Sequence, residues 1–157
     1  MNYHIDIQKA CDDYIPVPDA TLSKWALLPL ERIQDSGEIT LRIVSSGEIQ
    51  HLNLTYRKQD KPTNVLAFKS DIPEQIMLDT PFLGDVIICP AILKAESDNL
   101  NKPLVNHWAH IIIHGVLHLL GYDHINDEDA AIMQPVETEL LARLGFEDPY
   151  HYEENKE

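Results

Sequence analysis

Hydrophobic and polar positions along this 157-residue chain change period several times, and each change marks an element. Ile5 and Ile7 flank Asp6, which predicts a first strand near residues 3–8. Asp19 is placed to cap a helix carrying Leu22, Trp25 and Ala26 on one face, and Pro29 should end or bend it. Ile39, Leu41 and Ile43 alternate with Thr40 and Arg42 as a second strand. Ser45, followed three residues later by Glu48, has the form of a capping box, and Ile49, Leu52 and Tyr56 continue it at helical spacing. Residues 57–63 have no period and contain Pro62, so they read as a loop into a third strand, Val65, Leu66, Ala67 and Phe68. Residues 69–83 read as a polar loop, and residues 85–89 (DVIIC) as a fourth strand.

Pro90 suits a first helical position, and the helix it opens is expected to reach about Asn99. Pro103 opens another over residues 104–120, stopped by Gly121 in the left-handed conformation. Asp127, Glu128 and Asp129 favour the start of a last helix that Gly145 closes, with a kink or a split into two short helices at Pro135. The order β-α-β-α-β-β-α-α-α is neither strict alternation nor strand alone. It predicts an α+β (mixed α/β) fold, a single domain over residues 1–149 with a small mixed sheet packed by helices. An acidic, frayed tail over residues 150–157 should follow.

Composition narrows the class without changing it: 44% hydrophobic and 24% charged residues exclude a disordered or disulfide-stapled chain. The first residues carry acids and no basic region ahead of an apolar run, so no signal peptide is expected. Histidines interrupt the apolar stretch 108–120, which falls short of the ~20 residues of a membrane helix. A cytoplasmic protein without membrane contact is expected, with Cys11 and Cys89 as buried free thiols. The net charge of −14 argues at first against a nucleic-acid partner. Yet eleven acidic against two basic residues from Asp123 to Glu157 place −9 of it at one end. Arg57, Lys58, Lys61 and Lys69 against Asp60 leave +3 in the stretch 57–69, which charge alone reads as a solvated loop.

The densest candidate chemistry is HGVLHLLGYDH, residues 114–124. His114 and His118, four apart on a helix, sit ~40° apart around the axis and ~6 Å along it, so both imidazoles can face one ion. The break at Gly121 lets the chain return His124 to the same point. Three imidazoles with an open fourth position suit a catalytic zinc rather than a structural one, although nickel, iron or copper also accept them. The spacing matches the metzincin peptidase motif HExxHxxGxxH, but its general-base glutamate is Gly115 here. His107 and His110, on the same stripe, fit a supporting or pocket-wall role as well as the surface. Asp123 is an acceptor for an imidazole N–H or a plain loop residue, and His4, His51 and His151 are expected in solvent.

With that motif in place, the chain closely resembles the YbeY family of bacterial endoribonucleases. EIQHLNLTYR (residues 48–57) is similar to the family's ExxxLNxxYR helix, KPTNVLAF (61–68) to its PTDVLSF strand, and LGDVII (83–88) to its LGDI-type strand. Asn64, Ala67 and Lys69 stand where the family usually has Asp, Ser and Pro. The resemblance implies one metal per chain, zinc by preference, on His114, His118 and His124, and Arg57 as a functional residue of the site. It also implies maturation of the 3′ end of small-subunit (16S) ribosomal RNA and ribosome quality control. Catalytic roles then fall to Arg57 and His114, with Arg57 gripping phosphate and Lys58 and Lys61 guiding a single strand. The expected partners are ribosomal RNA and the ribosome, not DNA, with a ribosome-associated protein offsetting the acidic charge. The alternatives are a metallohydrolase of another class, such as a peptidase, and a non-catalytic, zinc-anchored ribosome module.

Overall fold

The computed structural model describes residues 2–70, 80–122 and 127–150. Its elements follow the predicted order: β1 (Tyr3–Lys9), α1 (Asp19–Ile33), β2 (Gly37–Ile43), α2 (Ser46–Arg57), β3 (Val65–Lys69), β4 (Phe82–Ile88), α3 (Pro90–Leu100), α4 (Leu104–Leu119) and α5 (Asp127–Arg143). The strands form one sheet in the order β1-β2-β4-β3. β1–β2 and β2–β4 are parallel and β3–β4 antiparallel, the mixed sheet of an α+β fold.

Strand alternation divides the apolar side chains between two faces. Ile39, Leu41, Ile43, Val86 and Ile88 face the larger core, which α1 closes with Leu22 and Trp25 and α4 with Trp108, Ile112 and Val116. Leu66 and Ile87 face the other way, onto Ile49 of α2. α4 is apolar nearly all round because it lies between the sheet, α1, α3 and α5.

Several predicted boundaries move, each for a physical reason. Asp19 is not the cap of α1: Pro18 holds that position without a side-chain bond, and Asp19 instead takes Lys9 Nζ at 2.7 Å. Pro29 does not end α1, because burying Leu30 fully in the core outweighs one missing backbone bond. Pro135 does not split α5 either. It lies on the solvent side, where water can meet the carbonyl it leaves unbonded. β4 starts three residues early through a bulge that pairs Glu38 with Phe82 but Ile39 with Gly84. Gly84 takes φ +143 there, and a Cβ on it would collide with the Phe68 carbonyl. Of the predicted polar loop 69–83, residues 71–79 lie outside the described residues, as do Asp123, His124 and residues 151–157.

Other expectations hold. Ser45 Oγ accepts from Glu48 N–H at 3.2 Å, and Gly121 takes φ +107 beyond the end of α4. Cys11 and Cys89 are free thiols, Cys89 fully buried as expected, whereas Cys11 is only half-buried. Among the described residues no helix is long and apolar enough to cross a membrane.

Candidate functional site

Gly115 determines how closely α4 approaches the sheet. A Cβ there would lie 2.8 Å from Val86 Cγ1 and 2.9 Å from Val65 Cγ2, so only glycine lets the helix rest on β3 and β4. Glycine costs about 1 kcal/mol against alanine in a helix interior, and the close approach is its physical reason. His114 and His118 flank this contact, half-buried, and open on a cleft of about 860 Å³. The rest of its lining comes from the β3 strand and the end of α2 with the loop after it.

That loop is fastened from beneath. Asn53, buried on α2, donates from Nδ2 to Lys61 O at 2.9 Å, while its own carbonyl takes Gln59 N–H at 3.3 Å. Arg57 and Lys61 consequently line the cleft, together with Lys69. Arg57 lies 5.7 Å above the Phe68 ring and donates from Nη2 to Ala67 O at 3.1 Å. Lys58 caps α2 in the left-handed conformation, exposed and away from the cleft lining.

Behind the histidines lies a polar network that local spacing did not reveal. Glu137 of α5 is 0% exposed. Its Oε2 accepts from His110 Nε2 at 2.7 Å and His114 Nδ1 at 3.0 Å, and its Oε1 from the Tyr150 hydroxyl at 2.7 Å. Burial alone would raise this carboxyl, but the hydrogen bonds from His110 and His114 hold it at about 2. His110 is pushed down to about 4, chiefly by burial, which outweighs its bond to Glu137. Both histidines expected as supporting or surface residues, His107 and His110, are buried. His4 and His51 are exposed, as expected.

Distance alone groups His110, His114 and Glu137 as possible metal ligands, with donor atoms within 4.8 Å of one another. Both Glu137 oxygens, however, are already engaged as acceptors, Oε2 by the two histidines and Oε1 by the Tyr150 hydroxyl. The better fit is the pair in front: His114 Nε2 and His118 Nε2 are 3.0 Å apart at the cleft wall. Nitrogens ~2.0 Å from one tetrahedral ion sit roughly 3.3 Å apart, so this pair needs little adjustment to take one. The third predicted ligand, His124, lies outside the described residues.

A second cluster uses Asn64. Its Nδ2 donates to both oxygens of Glu96, at 3.2 and 3.3 Å, and His107 Nε2 donates to Glu96 Oε1 at 2.9 Å. Burial works to raise the Glu96 carboxyl, but the bonds from His107 and Asn64 prevail and hold it below its ordinary value. Replacing Asn64 by Asp would set two carboxylates face to face. Urea unfolding should register a loss of about 1.5 to 3 kcal/mol, the range for a lost bond to a charged group. An unchanged midpoint would mean that Asn64 contributes nothing through Glu96.

Glu137 did leave one trace in the sequence. It falls in register with Met133, Leu140 and Leu141 on the buried side of α5, and a carboxylate on an apolar stripe needs a buried partner. Lys102 and Tyr150 leave no comparable trace, because each depends on how separate elements pack.

Comparison with known proteins agrees with this architecture. The family profile described as Endoribonuclease YbeY matches residues 11–145. Proteins named Endoribonuclease YbeY from the Corby and Philadelphia 1 strains of Legionella pneumophila are each 53% identical over 156 residues, covering 99% of this chain and 99% of each relative. The solution structure of TM1509 from Thermotoga maritima superposes with a TM-score of 0.58 at 26% identity, over 89% of this chain and 88% of that one. A cleft lined by paired imidazoles and an arginine thus occurs in a chain that aligns with the Legionella proteins over 99% of its length, and the chain belongs to the YbeY family of endoribonucleases.

Proposed function

We propose that this protein is a metal-dependent endoribonuclease of the cytoplasm that cuts single-stranded RNA within the cleft. Its targets are the 3′ end of small-subunit ribosomal RNA and the RNA of defective ribosomes. The observation that carries the reading is the placement of His114 Nε2 and His118 Nε2, 3.0 Å apart, on the same cleft that Arg57 lines. His114, His118 and His124 hold the metal, one zinc per chain in this reading. Bound there, such an ion supplies a polarised phosphoryl oxygen or an activated water.

The remaining work falls to the chain itself. Arg57 grips the scissile phosphate through guanidinium N–H groups not engaged with Ala67, and these donors stabilise the negative charge that builds on the phosphorus oxygens. Lys61 on the cleft wall, and Lys58 just outside it, draw the backbone in by charge. Glu137 keeps the His114 ring at a fixed angle to the cleft. Tyr56, 64% exposed and 5.2 Å from the Phe68 ring, offers a face on which an unpaired base can stack. Because the rest of the surface is acidic, the protein meets its RNA on the ribosome with help from a protein partner.

The test is metal analysis of the purified chain together with cleavage of a single-stranded ribosomal RNA fragment, presented both free and on ribosomes. The expected result is about one zinc per chain, with metal and cleavage both lost in His118→Ala. Cleavage that persists in a folded, metal-free His118→Ala protein would refute the proposal.

A further inference from the structure

We infer that Lys102, His110 and Glu137 form a relay of fixed hydrogen-bond polarity whose output is the tautomer and orientation of His114. Lys102 stands between α3 and α4 and is only 4% exposed. Its backbone is held on both sides by Ser97: Lys102 N–H donates to Ser97 O at 3.0 Å, and Ser97 Oγ donates to Lys102 O. The side chain is directed inward, with Nζ 3.3 Å from His110 Nδ1. An ammonium only donates, so His110 Nδ1 must accept and the ring proton must sit on Nε2. That nitrogen is 2.7 Å from Glu137 Oε2.

The same oxygen meets His114 Nδ1 at 3.0 Å, and a carboxylate only accepts. His114 therefore carries its proton on Nδ1 and presents Nε2 as a lone pair, directed at His118 Nε2. Tyr150 completes Glu137 from the other side, and its ring packs edge-on against His110 at 5.5 Å. Ring contacts between His110 and His114 (5.8 Å) and between His114 and His118 (4.5 Å) restrict the imidazoles further.

Burying an ammonium and a carboxylate in one core is costly, and an apolar filling of equal volume is often as stable. What apolar residues do not supply is direction. Every group in this chain is either an obligate donor or an obligate acceptor, or has its choice imposed by a neighbour. Glu137 is thus a positioning residue that acts through His114, with Lys102 and His110 holding it from behind. The final step, from tautomer to metal affinity, rests on the proposed reading of His114 and His118 as ligands.

The experiment is long-range 1H–15N correlation of the histidine rings at pH 8 on the full chain, zinc-loaded and after dialysis against chelator, joined to zinc competition with a chromophoric chelator. In the wild type His114 should appear as the Nδ1–H tautomer in both states. Glu137→Met should release it to the Nε2–H form or an average, and weaken zinc binding about 10- to 100-fold. Glu137→Gln, whose amide oxygen still accepts, should restore the Nδ1–H tautomer. His114 found as Nε2–H in the dialysed wild type overturns the relay, whether or not any variant folds. So does a folded Glu137→Met protein with unchanged tautomer and zinc affinity. A wild type with the expected tautomer but no zinc binding would instead remove the metal reading and leave the relay standing.

Discussion

Replacing Arg57 by alanine should lower RNA cleavage by about 100- to 1000-fold while leaving metal content and thermal stability close to wild type, the range seen when one preorganised donor to a developing oxyanion is lost. The side chain is exposed and belongs to no core, so its removal leaves no cavity. Its present contacts, one bond to Ala67 O and the Phe68 ring beneath it, aim the guanidinium along the cleft at little entropic cost on binding. Arg57→Lys should recover only part of the loss, because an ammonium keeps the charge but not the paired donors that match a phosphate. Single-turnover cleavage at saturating RNA separates the two contributions. A wild-type rate in a metal-loaded Arg57→Ala protein would remove this residue from the site.

Introducing the metzincin glutamate by Gly115→Glu should not produce a peptidase but should cost at least about 3 kcal/mol of stability, through overpacking together with a buried, unpaired carboxylate. The new Cβ would meet valine methyls at 2.8 and 2.9 Å on two different strands, and β-branched side chains have little rotameric freedom to move aside. The sheet cannot withdraw either, since β4 lies between β2 and β3. Position 115 points at the sheet rather than at the histidine pair, so the likeness to HExxH peptidases ends with the histidines. Urea unfolding checks the magnitude, and a Gly115→Glu protein as stable as wild type would contradict this close packing of α4 on the two strands.

What could be read from the residues and what could not divide along physical lines. Local signals were legible: the Ser45 cap bonded to Glu48, Pro90 at the head of α3, Gly121 past the end of α4, and alternation through Ile39, Leu41 and Ile43. The His114 and His118 pair was legible because helical geometry alone brings residues four apart together. Tertiary burial decided the misreadings: Pro29 stays helical for the sake of Leu30, and the extra residue at the β4 bulge has a counterpart only on β2. The order of strands had no local signature, and neither did the chain from Lys102 to Glu137, whose members lie 35 positions apart and meet only after α4 and α5 have packed.

The bond from Arg57 to Ala67 O has a meaning apart from RNA. Among the described residues β3 is the last strand of the sheet, and even-numbered backbone groups beside it turn toward β4: Asn64 O takes Cys89 N–H, and Ser70 N–H takes Leu83 O. Ala67 accordingly offers its carbonyl outward, along an edge that another extended chain could extend by strand addition. Arg57 occupies that acceptor, and the exposed ammonium of Lys69 stands at the end of the same edge. The residue assigned to seize phosphate is thus also a guard against self-templated pairing. An alanine there would uncover the edge, so the activity expected to be lost in Arg57→Ala should be read at dilutions where sedimentation finds single chains.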